Sequence, residues 1–199
     1  SRDASRDVAG SPVTAVCDDS RNVTPGSLFV AVEGELADGH NFVRQAADRG
    51  AVAVCVERPL PHDVANALDA NGVYLLTVEN TLHAFHRLAA AHRRRLRHIP
   101  LAAITGSSGK TSVRTMLSAI LEAAWPGAVL STAGNTNNHF GVPRNLLRLS
   151  EGHCVAALEL GTNHPGEIAT LAAIAQPDVG LITNIGRAHL EFLGDLQGV

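Results

Sequence analysis

Short apolar runs separated by polar, helix-compatible stretches recur along the whole chain, and their order predicts alternating strands and helices. Leu28-Phe29-Val30-Ala31-Val32, Ala51-Val52-Ala53-Val54-Cys55-Val56 and Val73-Tyr74-Leu75-Leu76 are the first such runs. Helix-like patterns lie between them around 41–49 and 63–70, the alternation that builds an α/β unit. A longer helix is predicted from about Thr81 to Arg97, with Leu82, Phe85, Ala89 and Leu96 on one face, Asn80 as its cap and Pro100 beyond its end. From Leu101 the text changes. Leu101-Ala102-Ala103-Ile104, Ala128-Val129-Leu130, Cys154-Val155-Ala156-Ala157-Leu158 and Val179-Gly180-Leu181-Ile182 are near-continuously apolar, as parallel strands covered on both faces require. Val113, Met116, Leu117, Ile120, Leu121 and Ala124 recur at helical spacing, Pro165 and Pro177 bracket another helix, and one more opens near Pro143. The expected fold class is α/β, with a small α/β domain over 1–98 followed by a mostly parallel-sheet domain over 99–199.

Composition narrows the function. With 199 residues, 45% of them hydrophobic, the chain has enough apolar surface for real cores, which argues against disorder. A formal net charge of -3 leaves no overall basic field for a polyanion, so nucleic acid is not an expected partner. The one basic run, His92-Arg93-Arg94-Arg95-Leu96-Arg97-His98, reads as the solvated end of a helix, where cations also suit the negative end of its dipole. Cys17, Cys55 and Cys154 are widely spaced, and the last two sit inside apolar runs where a reduced thiol packs as a small hydrophobe. No apolar run approaches the ~20 residues of a membrane span. A soluble, cytoplasmic monomer with no membrane partner is therefore expected. The start, Ser1-Arg2-Asp3, has no initiating Met, which hints that the natural N-terminus lies outside these residues.

The sharpest chemical signal lies between the strand 101–104 and the helix that follows it. Thr105-Gly106-Ser107-Ser108-Gly109-Lys110-Thr111-Ser112 is a Gly-rich loop in the context a phosphate loop needs. Glycines let backbone N–H groups face phosphates, and the helix N-terminus adds positive potential. Lys110 would reach the β- and γ-phosphates, and Thr111 would offer its hydroxyl to Mg²⁺. Among 16 basic residues Lys110 is the sole lysine, a compact ammonium kept where phosphate chemistry asks for one. The spacing departs from the standard motif, since Gly106 precedes Gly109 by three residues rather than five.

Other candidates follow strand ends, where ligands of open α/β sheets bind. Glu159 ends the run 154–158 and could hold Mg²⁺. His189 follows a strand end at 179–184; a single His is ordinarily a surface or packing residue. Gly134-Asn135-Thr136-Asn137-Asn138-His139 is a dense polar stretch that is either a turn or a substrate or phosphate contact. Asp38-Gly39, taken alone, reads as a turn.

Together these segments resemble the Mur ligase family. The loop Thr105 to Ser112, Gly134 to Asn138 with Gly141-Val142-Pro143, Glu159 to Ile168, and Asn184-Ile185-Gly186 with Ala188-His189-Leu190-Glu191 carry the resemblance. In the first domain Asp19-Ser20-Arg21, Pro25-Gly26, Leu28-Phe29-Val30 and Asp38-Gly39-His40-Asn41-Phe42 are similar to segments that hold the uridine end of the substrate. The resemblance implies a uridine-nucleotide-binding domain, part of a central P-loop ATPase domain, and a place in cytoplasmic peptidoglycan precursor synthesis. The implied substrates are UDP-N-acetylmuramoyl-tripeptide and D-alanyl-D-alanine, joined through an acyl phosphate with ADP and phosphate released. It implies ATP and Mg²⁺ as cofactors, with Gly106, Ser107, Ser108, Gly109, Lys110, Thr111 and Ser112 binding ATP. Lys110, Glu159 and His189 are the implied catalytic residues, and Thr111, Glu159 and His189 the metal ligands. Ser20, Arg21, Asp38, Gly39, His40, Asn41, Phe42, Asn135, Asn137 and Asn138 are the implied substrate contacts.

The family carries a carbamylated lysine shortly after the segment resembling Ala188 to Val199, and Lys110 is the only lysine here. Arg187 and Phe192 also stand where the family pattern has other residues. The expectation is an N-terminal portion of a ligase, inactive by itself. The alternatives are a noncatalytic nucleotide-binding module and a ligase of another Mur or folylpolyglutamate type.

Overall fold

Two parallel sheets organise the chain, one in each of two compact units that divide between Phe85 and His86. The computed structural model describes residues 13–34, 37–188 and 190–195. In the first unit the strands β1 (Ala15–Cys17), β2 (Ser27–Val30), β3 (Ala53–Val56) and β4 (Tyr74–Thr77) lie side by side in the order β1-β2-β3-β4. Every pairing is parallel. The connections contain α1 (Val43–Asp48) and α2 (His62–Ala70), whose Val43, Ala46 and Leu68 join Phe29, Val54 and Val56 in one core. The central strands β2 and β3 are buried along their whole length, which is why they read as unbroken apolar runs.

The helix α3 (Thr81–Arg95) carries the chain from the first unit into the second. Its start is locally encoded. Asn80 Oδ1 accepts from the N–H of His83 at 2.7 Å, the cap expected from the sequence. Glu57 adds a second brace, accepting at Oε2 from the Thr81 N–H and hydroxyl at 2.6 and 2.8 Å. The Thr81 N–H bond, opposed by burial, holds the Glu57 carboxyl below its usual value.

In the second unit β5 (Leu101–Thr105), β6 (Val129–Ser131), β7 (Val155–Glu159) and β8 (Val179–Ile182) form a parallel sheet in the order β6-β7-β5-β8. The helices are α4 (Lys110–Ala124), α5 (Gly141–Leu146), α6 (Glu167–Ala175) and α7 (Leu190–Leu193). Leu101, Ala103, Leu130, Ala156 and Leu158 share a core with Val142 and Leu146 of α5 and Leu171 and Ile174 of α6. Side chains alternate across a strand, so Glu159, one position past Leu158, belongs to the opposite face.

Three expectations need correction. Val179, Leu181 and Ile182 of the edge strand β8 are 62%, 44% and 64% exposed, and Tyr74, Leu75 and Leu76 of the edge strand β4 are exposed too, so among the described residues neither strand is covered on both faces. Cys154 precedes β7 and is exposed rather than packed; Cys17 and Cys55 are covered, and burial pushes both thiols up. Arg93, expected on a solvated helix face, is completely buried. Its guanidinium donates to the carbonyls of Ala175, Leu96 and Ile99 and to Asp178 Oδ2 at 2.8 to 3.0 Å. Asp178 Oδ2 also accepts from the Leu101 N–H, so Arg93 ties α3 and the end of α6 to the start of β5.

Candidate functional site

The Gly-rich loop leaves the carboxyl end of β5 and enters α4 through two glycines in conformations that side chains rarely adopt. Gly106 has φ +134° and Gly109, which precedes α4 without a side-chain cap, has φ +79°. A Cβ on Gly106 would lie 2.1 Å from Thr183 Oγ1. The segment after β8 clasps the loop. The Ser107 N–H donates to the Asn184 carbonyl, the Ser108 N–H to Asn184 Oδ1, and Asn184 Nδ2 to Ser108 Oγ, at 3.1, 3.0 and 2.7 Å. Thr183 Oγ1 donates to the Ser108 carbonyl at 2.6 Å, and Ser107 Oγ both donates to the Gly186 carbonyl and accepts from the Gly186 N–H. Lys110 folds over the loop, its Nζ 2.6 Å from the Gly106 carbonyl. Ser112 follows in the first turn of α4 and is exposed.

Glu159, at the end of β7, is 1% exposed and collects the donors around it. The Thr111 hydroxyl donates to Oε2 and Oε1 at 3.0 and 3.2 Å, and Asn137 Nδ2 donates to Oε1 at 2.8 Å. The Glu159 N–H donates to Thr132 Oγ1 at 2.8 Å. One junction therefore joins the phosphate-type loop, the polar stretch after β6 and the carboxyl end of β7. Thr111 and Glu159 supply the oxygen donors a hard divalent cation prefers. Among the described residues no group of three or more His, Cys, Asp and Glu could hold a metal. The pair fits a cation that fills its remaining positions with water and phosphate oxygens, the habit of Mg²⁺.

The polar stretch is held from within. Asn145 of α5 is 2% exposed; its Oδ1 accepts from the Ala133 N–H at 3.2 Å, while its Nδ2 lies 2.9 Å from the Thr136 carbonyl, Thr136 Oγ1 and the Gly141 carbonyl. Asn138 Oδ1 caps the entry to α5, accepting from the N–H groups of Phe140 and Gly141. Asn137 is fixed further by its carbonyl, which accepts from Gly161 N–H at 2.8 Å, while Asn135 Oδ1 sits 3.4 Å from Asn137 Nδ2. A Cβ on Gly161 would press on the Asn137 amide at 2.7 Å, so that glycine is required by close approach. Beyond it, Glu167 holds the loop before α6, accepting from the N–H groups of Asn163 and His164 and from the Thr162 hydroxyl. Burial works against its charge, but these bonds prevail and bring its carboxyl down to about 2.

In the first unit the substrate candidates also gather after strand ends, with Ser20 and Arg21 following β1 and Asp38 to Phe42 following β2. Ser20 is buried, donating to Gln45 Oε1 at 2.6 Å, and Arg21 is exposed in an ion pair with Asp19 at 2.7 Å. Asp38 Oδ1 accepts from the N–H and Nδ1 of His40, and Asp38 Oδ2 pairs with Arg58. His40 is 9% exposed, and its Nε2 accepts from the Glu57 N–H at 3.1 Å, so both ring nitrogens are engaged. Gly39 packs too closely on Val32 for any side chain, while Asn41 and Phe42 are exposed. His189 lies outside the described residues. Thr132, Thr183, Asn145 and Arg114 are site residues that sequence reasoning missed. Thr132 and Thr183 had a signal, each standing directly after a strand end.

Comparison with known proteins places this geometry among relatives. Residues 104–199 match the Mur ligase middle domain, and residues 12–93 match the Mur ligase family, catalytic domain. The UDP-N-acetylmuramoyl-tripeptide--D-alanyl-D-alanine ligase of Escherichia coli K12 is 45% identical over 97% of this chain and 40% of its own length. The ligase of the same description from Bacillus subtilis is 36% identical over 94% of this chain and 39% of its own length. Among solved structures, MurF from Acinetobacter baumannii superposes with a TM-score of 0.81 at 39% identity, covering 94% of this chain and 39% of that one. MurF ligase from Thermotoga maritima, solved in complex with ADP, gives 0.79 at 32% identity, covering 94% and 41%. The chain thus spans about 40% of the length of the relatives it matches.

Proposed function

The chain belongs to the Mur ligase family, and from that premise we propose that its protein joins D-alanyl-D-alanine to UDP-N-acetylmuramoyl-tripeptide at the expense of ATP. The observation that carries the reading is the junction at Glu159, where Thr111 of the Gly-rich loop and Asn137 of the polar stretch meet one buried carboxylate. In this reading the tripeptide carboxylate takes the γ-phosphoryl group from ATP, and the dipeptide amine then attacks the acyl phosphate. An amide forms and phosphate leaves.

Each residue has a physical share. Gly106 and the start of α4 from Gly109 to Ser112 present N–H groups to the phosphates, Ser107 and Ser108 hold the loop in shape through their bonds to Asn184, and Lys110 turns from the Gly106 carbonyl to the transferring group, where its charge offsets the developing negative charge. Thr111 and Glu159 would hold Mg²⁺, which when bound would neutralise phosphate charge and draw electron density from phosphorus. Asn137 keeps the Glu159 carboxylate aimed at Thr111, and Asn135 and Asn138 shape the loop beside it. His189 would hold a second cation and add to the charge offset there. In the first unit Arg21, Asn41 and Phe42 touch the uridine end of the substrate, while Ser20, Asp38, Gly39 and His40 brace them.

The test is phosphate release by the gene product that carries these 199 residues. Release should require ATP, Mg²⁺, the UDP-linked tripeptide and D-alanyl-D-alanine together. Release driven equally by free glutamate or another amino acid in place of the dipeptide contradicts the assignment of substrate.

A further inference from the structure

Glu159 faces a cation that neither the Gly-rich loop nor the polar stretch supplies. Arg114 lies three residues after Thr111 in α4, and side chains at that spacing share a helix face. Its Nε stands 3.7 Å from Glu159 Oε2, too far for a hydrogen bond but close for opposite charges. That nitrogen is buried without a hydrogen-bond partner, and the nearest bond of the group is a long one from Nη1 to Ser131 Oγ at 3.5 Å. The Ser131 hydroxyl is already engaged with Ser118 Oγ at 2.8 Å. A guanidinium keeps its charge in proteins, so a largely covered positive group with a spare buried donor sits permanently beside the carboxylate.

The consequence is a balance of charge. A carboxylate 1% exposed and unopposed would attract any divalent cation strongly. With Arg114 beside it, the pair is close to neutral. A hydroxyl and a neutralised carboxylate make a poor trap for a free dication, whereas the same arginine adds to the attraction for phosphates. We propose that Arg114 is a positioning residue that balances Glu159, so that Thr111 and Glu159 hold a divalent cation only together with the phosphates of a nucleotide. The inference rests on the nucleotide reading of the loop given above.

Two affinities that move in opposite directions test it. Mn²⁺ alone is titrated by electron paramagnetic resonance, and ADP without metal by calorimetry, against the wild-type chain and the Arg114→Met, Arg114→Gln and Arg114→Lys variants. For Arg114→Met and Arg114→Gln the Mn²⁺ affinity should rise about tenfold and the metal-free ADP affinity fall about tenfold, each ~1.4 kcal/mol. Arg114→Lys, which keeps the charge, should hold both within about threefold of wild type. Both affinities falling together in Met and Gln variants, or neither moving, overturns the role of Arg114 while leaving the nucleotide reading intact. A wild-type chain that binds no ADP even with Mg²⁺ overturns the nucleotide reading and this inference with it.

Discussion

Asn145 shows what a single amide does at this site. It is 2% exposed and serves the backbone of Ala133, Thr136 and Gly141, so its removal strands buried donors and acceptors. Asn145→Ala should cost about 2–3 kcal/mol of stability in urea denaturation. Asn145→Asp should recover only part, since it restores the acceptor but not the donor. Gly106 was legible because its demands are local, a positive φ between a strand and a helix. Asn80 was legible as a cap for the same reason. Asn145 was not, because an amide inside a helix has no signature until the loop it serves has folded over it. Arg114 and Arg93 were likewise hidden. In sequence they are polar positions of amphipathic helices, and only the sheet beneath one and the end of α6 beside the other reveal that Arg93 is buried whole and Arg114 is largely covered, its Nε completely.

At the scale of elements, apolar runs located the strands well, because central parallel strands are apolar on both faces. They could not separate centre from edge. β4 and β8 carry the same composition as their covered neighbours and are nevertheless exposed. β1 was missed altogether, since three residues hold too little pattern to be read. The loop before α6 depends on charge. Glu167 has its carboxyl lowered from 4.5 to about 2, so its contribution is full above 4.5 and fades as pH falls towards 2. Glu167→Gln should destabilise the second unit by about 1–2 kcal/mol at neutral pH, with some of the effect screened by solvent. The gap between wild type and variant in thermal unfolding should close as pH drops below 4.5. A gap that stays constant down to pH 3 contradicts this account of the carboxylate as held by the Asn163 and His164 N–H groups and the Thr162 hydroxyl.

For the whole molecule, two parallel sheets each present polar loops after their strand ends, and a helix begun in one unit is completed in the other. Family membership was legible because several motifs fell in a fixed order. The charge balance at Glu159 was not, because it joins residues 114 and 159 across a helix–sheet contact. The central claim is that the Gly-rich loop and the end of β7 form one site for a nucleotide and its cation. Its most direct measurement is the gain in ADP affinity that Mg²⁺ brings, determined by calorimetry for the wild-type chain and for Glu159→Gln. Wild type should bind ADP at least about tenfold tighter with Mg²⁺ than without, a difference of ~1.4 kcal/mol. Glu159→Gln should lose that gain while still binding metal-free ADP through the loop. If the variant keeps the full gain from Mg²⁺, the cation is not held at Glu159 and the account of the site is wrong.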